Sequence, residues 1–448
     1  MIEKSSAVPR VAGPVWGTKT KADPRRFLPE NTSLFSQKHA LKYQKTSDPM
    51  FDTQRYPVHN CVCTGPIQAL NPDKNPVSST MPLSPHPILC QPGRSSRLTL
   101  ASTICTVLLF IQPVSAELPQ VQVSNIRRVF HNGEHNAFTD LVHFKNRFYL
   151  AFRSCPDGHS VNPTASVIVL TSHDAKTWQQ VHRFQVARRD TRDPHFLVFR
   201  DRLFIYTGTW YSGETSIRSA DLDLNKHLGY AVWSADGTKW HGPIMLEGTF
   251  GHYIWRASTF KDKAYLCGRR KIGFDVGLRG EGRMVESLML ESDDGLIWHK
   301  RAVFQEIEGD ETAFHFEADG SVIGIGRRGN GKAQLLRSNP PYTRWERTEL
   351  DRYIGGPLLT RWGDRYVVGG RKRMSGRGSK TSMCWLLNGQ LHEFAELPSG
   401  GDTSYPGFVE LDPHRAIMSW YSSHERDARG KTITAIYMAD LSIVEKTP

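Results

Sequence analysis

SADGTKW, residues 234–240, has two near copies in the chain, SHDAKTW (172–178) and SDDGLIW (292–298), and a degraded one, SNPPYTRW (338–345). In Ser-x-Asp-x-x-x-Trp the aspartate is placed to accept turn amides while the tryptophan packs beneath the hairpin. Such a turn is a structural pin, so Asp174, Asp236 and Asp294 receive no chemistry. A pin that repeats implies a structural unit that repeats, and the search moves outward from it.

Around the pins lie short apolar strands, each after a charged or Gly-containing turn: KNRFYLAFR (145–153), RDRLFIYTG (200–208), KDKAYLCGR (261–269), ADGSVIGIGR (318–327), WGDRYVVGGR (362–371) and DPHRAIMSWY (412–421). Each has a partner just upstream: HNAFTDLVHF (135–144), TRDPHFLVF (191–199), WRASTF (255–260), ETAFHFEA (311–318), GGPLLTRW (355–362) and SYPGFVEL (404–411). The hairpins recur every 44 to 61 residues. Period-two strands, almost no helical pattern and six units of about four strands predict an all-β, six-bladed β-propeller over 117–448; a pair of β-sandwiches is the fallback.

In a propeller the first strand of each blade lines the central channel, so the residues that open those strands converge on one mouth. They are His135-Asn136, Arg192-Asp193, Trp255-Arg256, Glu311-Thr312, Gly355-Gly356 and Ser404-Tyr405. Second strands bring Arg153, Arg269, Arg327-Arg328 and Arg371 to equivalent ends. Buried charges cost several kcal/mol unless paired, so a ring this polar marks a site rather than a core. Arg327 and Arg328 alternate faces, which puts one of them on the surface. Arg371 with Lys372 and Arg373 also reads as a basic loop tip. Trp255 reads equally as a sugar platform or a wedged core residue. His135 and His159 fit loop hydrogen bonding as well as proton transfer.

The Asp-box (BNR) turns, the blade count and the arginine ring resemble the sialidase (neuraminidase) superfamily, in a divergent bacterial-type form, over residues 120–445. The order Glu311, Arg327 or Arg328, Arg371, Tyr405 and Glu425 matches that family's second half. The resemblance implies an exo-sialidase-like glycosidase in which Tyr405 is the nucleophile and Glu311 takes its proton. A neutral phenol avoids the repulsion that an Asp or Glu nucleophile would meet from a carboxylate on the anomeric carbon. Arginines suit that carboxylate because a guanidinium binds it through two parallel bonds. Asp193 or Asp140 then protonates the leaving group, given a raised pKa. The first half departs from the pattern: His135-Asn136 stands where the first arginine is expected, and CPDGHS (155–160) offers Asp157 and His159 where the acid is expected. Arg153, Arg192 or Arg256 then supplies the missing charge, or the substrate is another sugar. A lyase on a uronic-acid glycan and a non-catalytic carbohydrate-binding propeller are the alternatives.

Net charge is +12, of which residues 1–116 carry +7. The remainder is only mildly basic and has no Lys/Arg run or stacking stripe, so a glycan is the expected partner and nucleic acid is not. Two arginines, an apolar run from Leu98 to Ile111, then Val114-Ser115-Ala116 give 94–116 the form of a secretory signal, and the run is short of the roughly 20 residues that a membrane span needs. The protein is therefore expected to be secreted or periplasmic with no stable membrane span. Residues 1–93 are expected to be a poorly structured leader, with Met81 a sensible true start. Cys155, Cys267 and Cys384 follow the signal and form no disulfide framework; CxxC spacing is missing, and the scattered His/carboxylate pairs make no metal site, so neither metal nor cofactor is expected. Oligomeric state is not legible in the sequence.

Overall fold

The middle of RFYLAFRSC (147–155), Tyr149 to Phe152, puts apolar side chains on both faces of its strand, as a strand covered on both sheet faces requires. Its five counterparts have the same property. The computed structural model, which describes residues 118–274, 284–374, 376 and 378–444, resolves this demand with six four-stranded antiparallel sheets. The proposed leader and signal segment lie outside the described residues.

Blade 6 opens with β1 (Gln120–Phe130), its outermost strand. Blade 1 follows with β2 (His135–Phe144), β3 (Arg147–Cys155), β4 (Ser166–Ser172) and β5 (Gln179–Phe184). Blade 2 has β6 (Arg189–Phe199), β7 (Arg202–Tyr211), β8 (Leu228–Ser234) and β9 (His241–Met245); blade 3 has β10 (Tyr253–Phe260), β11 (Lys263–Lys271), β12 (Val285–Ser292) and β13 (His299–Gln305). Blade 4 has β14 (Gly309–Phe316), β15 (Val322–Arg328), β16 (Gln334–Ser338) and β17 (Trp345–Glu349); blade 5 has β18 (Gly355–Trp362), β19 (Arg365–Met374), β20 (Gly378–Leu387) and β21 (Gln390–Leu397). Blade 6 is completed by β22 (Thr403–Asp412), β23 (Arg415–Arg426) and β24 (Thr432–Val444), with β1 pairing antiparallel to β24. The inner strands β2, β6, β10, β14, β18 and β22 each touch the next, and β22 returns to β2. The ring is therefore closed in blade 6, where strands from opposite ends of the domain are hydrogen-bonded in one sheet.

The blades are glued by aromatic and aliphatic side chains at their faces. Trp362 and Trp385 of blade 5 pack with Met418, Trp420 and Tyr437 of blade 6, and Phe204 and Tyr206 of blade 2 with Leu266 and Trp298 of blade 3. Each such burial contributes about 1.5–3 kcal/mol. The turn between third and fourth strands repeats one hydrogen-bond scheme in blades 1 to 3. Asp174 Oδ1 accepts the amides of Lys176 and Thr177, Asp236 Oδ1 those of Thr238 and Lys239, and Asp294 Oδ1 those of Leu296 and Ile297, all at 2.7–2.9 Å. Trp298 is buried, and Trp178 and Trp240 half-buried, beneath these turns. Cys155, Cys267 and Cys384 are buried and free. Among the described residues no helix is long and apolar enough to cross a membrane.

Candidate active site

Every inner strand carries one extra residue at the same level. Against its neighbour, the register slips by one residue between Ala137 and Asp140, Arg192 and Pro194, Ile254 and Ala257, Gly309 and Thr312, Gly355 and Leu358, and Ser404 and Gly407. A β-bulge re-aims the side chain it carries. Six at one height turn the ring of strand openings into a ring of side chains around the channel mouth. Four of these positions are left-handed: Phe138 (φ 63°), Asp193 (φ 53°), Gly356 (φ 60°) and Tyr405 (φ 54°). For the three with a Cβ this conformation costs about 1–3 kcal/mol each, strain that ordinary strand packing does not ask for. Gly356 admits no alternative, since a Cβ there would lie 2.6 Å from the Tyr405 ring.

Tyr405 is the hub. Its hydroxyl donates to Glu311 Oε1 at 2.8 Å, while Glu311 Oε2 accepts from Arg327 Nη1 at 2.8 Å and from the Gly356 amide at 2.9 Å. Phe138 and Trp255 meet the phenol ring edge-on at 4.9 and 5.3 Å, and the Arg371 guanidinium lies 5.4 Å from its centroid. Burial pushes the Tyr405 phenol well above its ordinary value, and the Glu311 charge adds to this. Burial alone would raise Glu311 as well, but the Arg327 and Arg269 guanidiniums outweigh it and hold the carboxyl below its ordinary range. The resting pair is thus a neutral phenol aimed at a carboxylate. Arg327 also reaches Asp310 Oδ2 at 3.2 Å, and Asp310 pairs with Arg269.

Two further carboxylates organise the walls. Asp402 Oδ1 accepts from Arg371 Nη2 at 3.0 Å and from the Tyr421 hydroxyl at 2.8 Å, while Asp402 Oδ2 meets His135 Nε2 at 3.0 Å and His159 Nδ1 at 2.8 Å. Burial raises the Asp402 carboxyl, but hydrogen bonds from His135 and His159 and the Arg371 charge carry it well below its ordinary value. Asp190 is clamped by Arg153 (3.0 and 2.7 Å) and Arg192 (2.8 and 2.6 Å). The same arginines donate to the carbonyls of Gly158, His159 and Ser160, tying loop 155–162 to the ring.

Of the residues expected from sequence, Tyr405, Glu311, Arg327, Arg371, His135 and His159 thus come together, with Arg153 and Arg192 behind them. Asp193 joins the floor: burial pushes its carboxyl up to about 8 against the opposing Arg192 charge, with Glu311 adding to the rise, and its Oδ1 has no hydrogen-bond partner. Asp140 does not join. Arg256 Nη1 at 2.6 Å and the Phe196 amide at 2.8 Å bind it lower in the channel and hold it ionised against the upward pull of burial. Arg256 in turn donates to the carbonyls of Pro357 and Pro406, so it buttresses the bulges from below. Trp255 is 1% exposed and lies under Tyr405, edge-on to His195, inside the core rather than on a sugar-facing surface. Asn136 is buried and spends its amide on Asn132, Glu134 and Thr434. Arg328 points outward to Glu308, and Glu425 pairs with Arg128 at an exposed position.

Asp190, Asp402, Tyr421, Phe138 and Asp310 were not among the residues expected to act. Tyr421 had a legible signal, since it stands on the sixth second strand at the level where the other blades present Arg153, Arg269, Arg327 and Arg371. For the aspartates the signal was an even spacing, Asp190 two residues before Arg192 on the same strand face, but nothing in that spacing tells a partner from a surface charge.

His135, His159 and Asp402 have donor atoms within 4.8 Å of one another, the geometry of a metal ligand set. The surroundings do not suit a cation. Arg153 Nη1 lies 3.5 Å from His135 Nδ1, and a guanidinium only donates, so Nδ1 is the acceptor and Nε2 carries the hydrogen that points at Asp402. A metal-binding imidazole has the opposite arrangement, with the outer nitrogen donating.

No family model matches the chain, and no curated protein matches its sequence. Solved structures do match. A protein of unknown function from Dyadobacter fermentans superposes with a TM-score of 0.60 at 19% identity, over 73% of this chain and 100% of that one. Trypanosoma rangeli sialidase in complex with sialic acid matches with a TM-score of 0.51 at 12% identity, over 73% of this chain and 59% of that one. Phage phi92 endosialidase matches with a TM-score of 0.51 at 10% identity, over 72% and 70%. The chain is thus a six-bladed propeller of sialidase-like fold, and it spans little more than half the length of the trypanosomal sialidase.

Proposed function

We propose that the protein is a glycosidase that removes a terminal acidic sugar from a glycan, with Tyr405 as nucleophile. The observation that carries this reading is the buried 2.8 Å hydrogen bond from the Tyr405 hydroxyl to Glu311, set between Arg327 and Arg371. Tyr405 Oη bonds to the anomeric carbon as its proton passes to Glu311 Oε1, and the glycosidic C–O bond breaks as a second acid protonates the departing oxygen; water then attacks the anomeric carbon and gives that group its proton back, while the bond to Tyr405 breaks and Glu311 returns the proton to the phenolate. A phenol approaching a sugar that bears a carboxylate meets no like charge, and Asp193, neutral below about pH 8, adds none to the floor. Arg327 and Arg371, beside Glu311 and Tyr405, are the partners for the sugar's carboxylate.

Turnover of a panel of 4-methylumbelliferyl sialosides and uronides tests the reading. Tyr405→Phe is expected to lower kcat/KM by at least about 10³-fold, as loss of a nucleophile does. An unchanged rate sinks the mechanism.

One observation favours a second reading of the substrate. Arg371 already holds Asp402, and Arg327 already holds Glu311, so less guanidinium capacity is free than a sialic acid carboxylate would engage. A uronic sugar, cleaved by hydrolysis or by elimination, fits that reduced capacity. A new double bond seen by ultraviolet absorbance distinguishes the elimination, and retention on a glycan array without product release marks a binding propeller. Export to the periplasm or medium is proposed from the segment 94–116 alone, and N-terminal sequencing of the protein from fractionated cells checks it.

A further inference from the structure

Glycosidic cleavage needs a proton for the departing oxygen, and the departing group extends away from the floor towards the mouth. Tyr405, Glu311 and Asp193 are at most 6% exposed, whereas the His159 side chain at the rim is 55% exposed. His159 is nonetheless held firmly. Its carbonyl accepts from Arg192 Nη2 at 3.1 Å, the carbonyls on either side accept from Arg153 at 3.0 and 3.1 Å, and both guanidiniums are anchored on buried Asp190. The Asn162 amide closes the loop onto the same carboxylate at 2.8 Å. Ring contacts fix the imidazole sideways, edge-on to His135 at 5.4 Å and to Phe138 at 5.9 Å. Phe138 is itself 4.9 Å from Tyr405, so one aromatic ring separates the imidazole from the nucleophile.

Asp402 Oδ2 lies 2.8 Å from His159 Nδ1. A carboxylate on Nδ1 sets the tautomer and leaves Nε2 for the reacting partner, as in any aspartate-oriented catalytic histidine. The charged and titratable groups around that pair are His135 on the same oxygen, Arg371 and the Tyr421 hydroxyl on the other, Arg153 behind His135, and Arg192 on the loop backbone.

Resting on the glycosidase reading, we infer that His159 is the catalytic acid and base of this site, with Asp402 as its positioning residue. In the first step the imidazolium gives its Nε2 proton to the departing glycosidic oxygen as the C–O bond breaks, and keeps its Nδ1 proton on Asp402. In the second step Nε2 takes a proton from the attacking water, whose oxygen bonds to the anomeric carbon as the bond to Tyr405 breaks. The proton held by Glu311 returns to the phenolate. The sugar's leaving group therefore crosses the first blade, over loop 155–162.

The test compares two leaving groups on one sugar, the 4-nitrophenyl glycoside and the methyl glycoside, with the full-length protein. An aryl leaving group needs little protonation and an alkoxide needs it fully. His159→Asn is expected to lose at least about 100-fold more kcat/KM on the methyl than on the nitrophenyl glycoside, with azide restoring part of the nitrophenyl rate. Asp402→Asn is expected to show the same bias at smaller amplitude. Equal losses on both substrates, or the bias appearing in Asp193→Asn instead, overturn the assignment. Failure of the glycosidase reading itself looks different, because Tyr405→Phe would then leave both rates unchanged. Should neither glycoside be cleaved, imidazole nitrogen NMR decides: the neutral His159 ring must carry its proton on Nδ1, and lose that preference in Asp402→Asn. An Nε2-protonated neutral ring excludes the role.

Discussion

Asp140 and Asp193 stand on neighbouring inner strands, both almost fully buried, and their chemistry is opposite. Asp140, on β2 below the bulges, receives a guanidinium and a backbone amide and is ionised. Asp193, at the β6 bulge, leaves Oδ1 without a partner and holds its proton up to about pH 8. The lower channel is a finished structure in which every charge is answered. The upper ring keeps strain, an unpartnered oxygen and a phenol on a carboxylate, features that cluster at functional sites and support the proposed one.

Breaking the lower cluster should cost stability at every pH. Asp140→Ala leaves Arg256 buried without its carboxylate, so unfolding free energy in urea should fall by about 3–5 kcal/mol. A loss below 1 kcal/mol would mean that the lower channel is hydrated and the contrast is false. Asp193→Asn should do something different. The wild-type carboxyl has a folded pKa of about 8 against 3.8 unfolded, so between those values the unfolded chain releases a proton that the folded chain keeps. Stability relative to the Asn variant should therefore fall as pH rises from about 4 to about 8, by up to about 1.4 kcal/mol per pH unit, and level off above. A flat difference curve from paired urea titrations would place Asp193 with Asp140 as an ordinary ionised partner. The smallest effect is expected at Arg328, which faces Glu308 outside the ring: Arg328→Ala should change stability by less than about 0.5 kcal/mol and leave kcat/KM within about twofold. Arg327→Ala, one residue away, should lower kcat/KM by about 100-fold because Glu311 loses a charge-assisted partner. Equal effects at the two positions would show that the alternation of faces along β15 does not decide which arginine serves the site.

The inner strands were legible because their pattern is local. HNAFTDLVHF and GGPLLTRW coincide with β2 and β18, and the other inner strands agree to within two residues at either end. That Tyr405 and Glu311, 94 residues apart, open onto one mouth followed from the repeat, since equal positions in equal blades meet there, whereas their pairing was what the sialidase resemblance implied. The same arithmetic did not tell which carboxylates would be answered. Arg256 looked like a site residue because its strand opens beside Trp255, yet the bulge between Ile254 and Ala257 sends it down to Asp140. His159 lies on a loop whose path depends on Arg153 and Arg192 meeting over Asp190, contacts that no strand period encodes.

By itself, the sequence determined the six-fold repeat, the strand alternation and the set of residues that open each inner strand, because those depend on side-chain spacing along one segment. The closure of blade 6 by β1, the single-residue bulges and the division of the buried carboxyls into paired and unpaired were decided only in the tertiary structure. Each depends on groups brought together from distant blades, where burial and the nearest opposite charge fix whether a side chain is ionised, buttressed or left free to react.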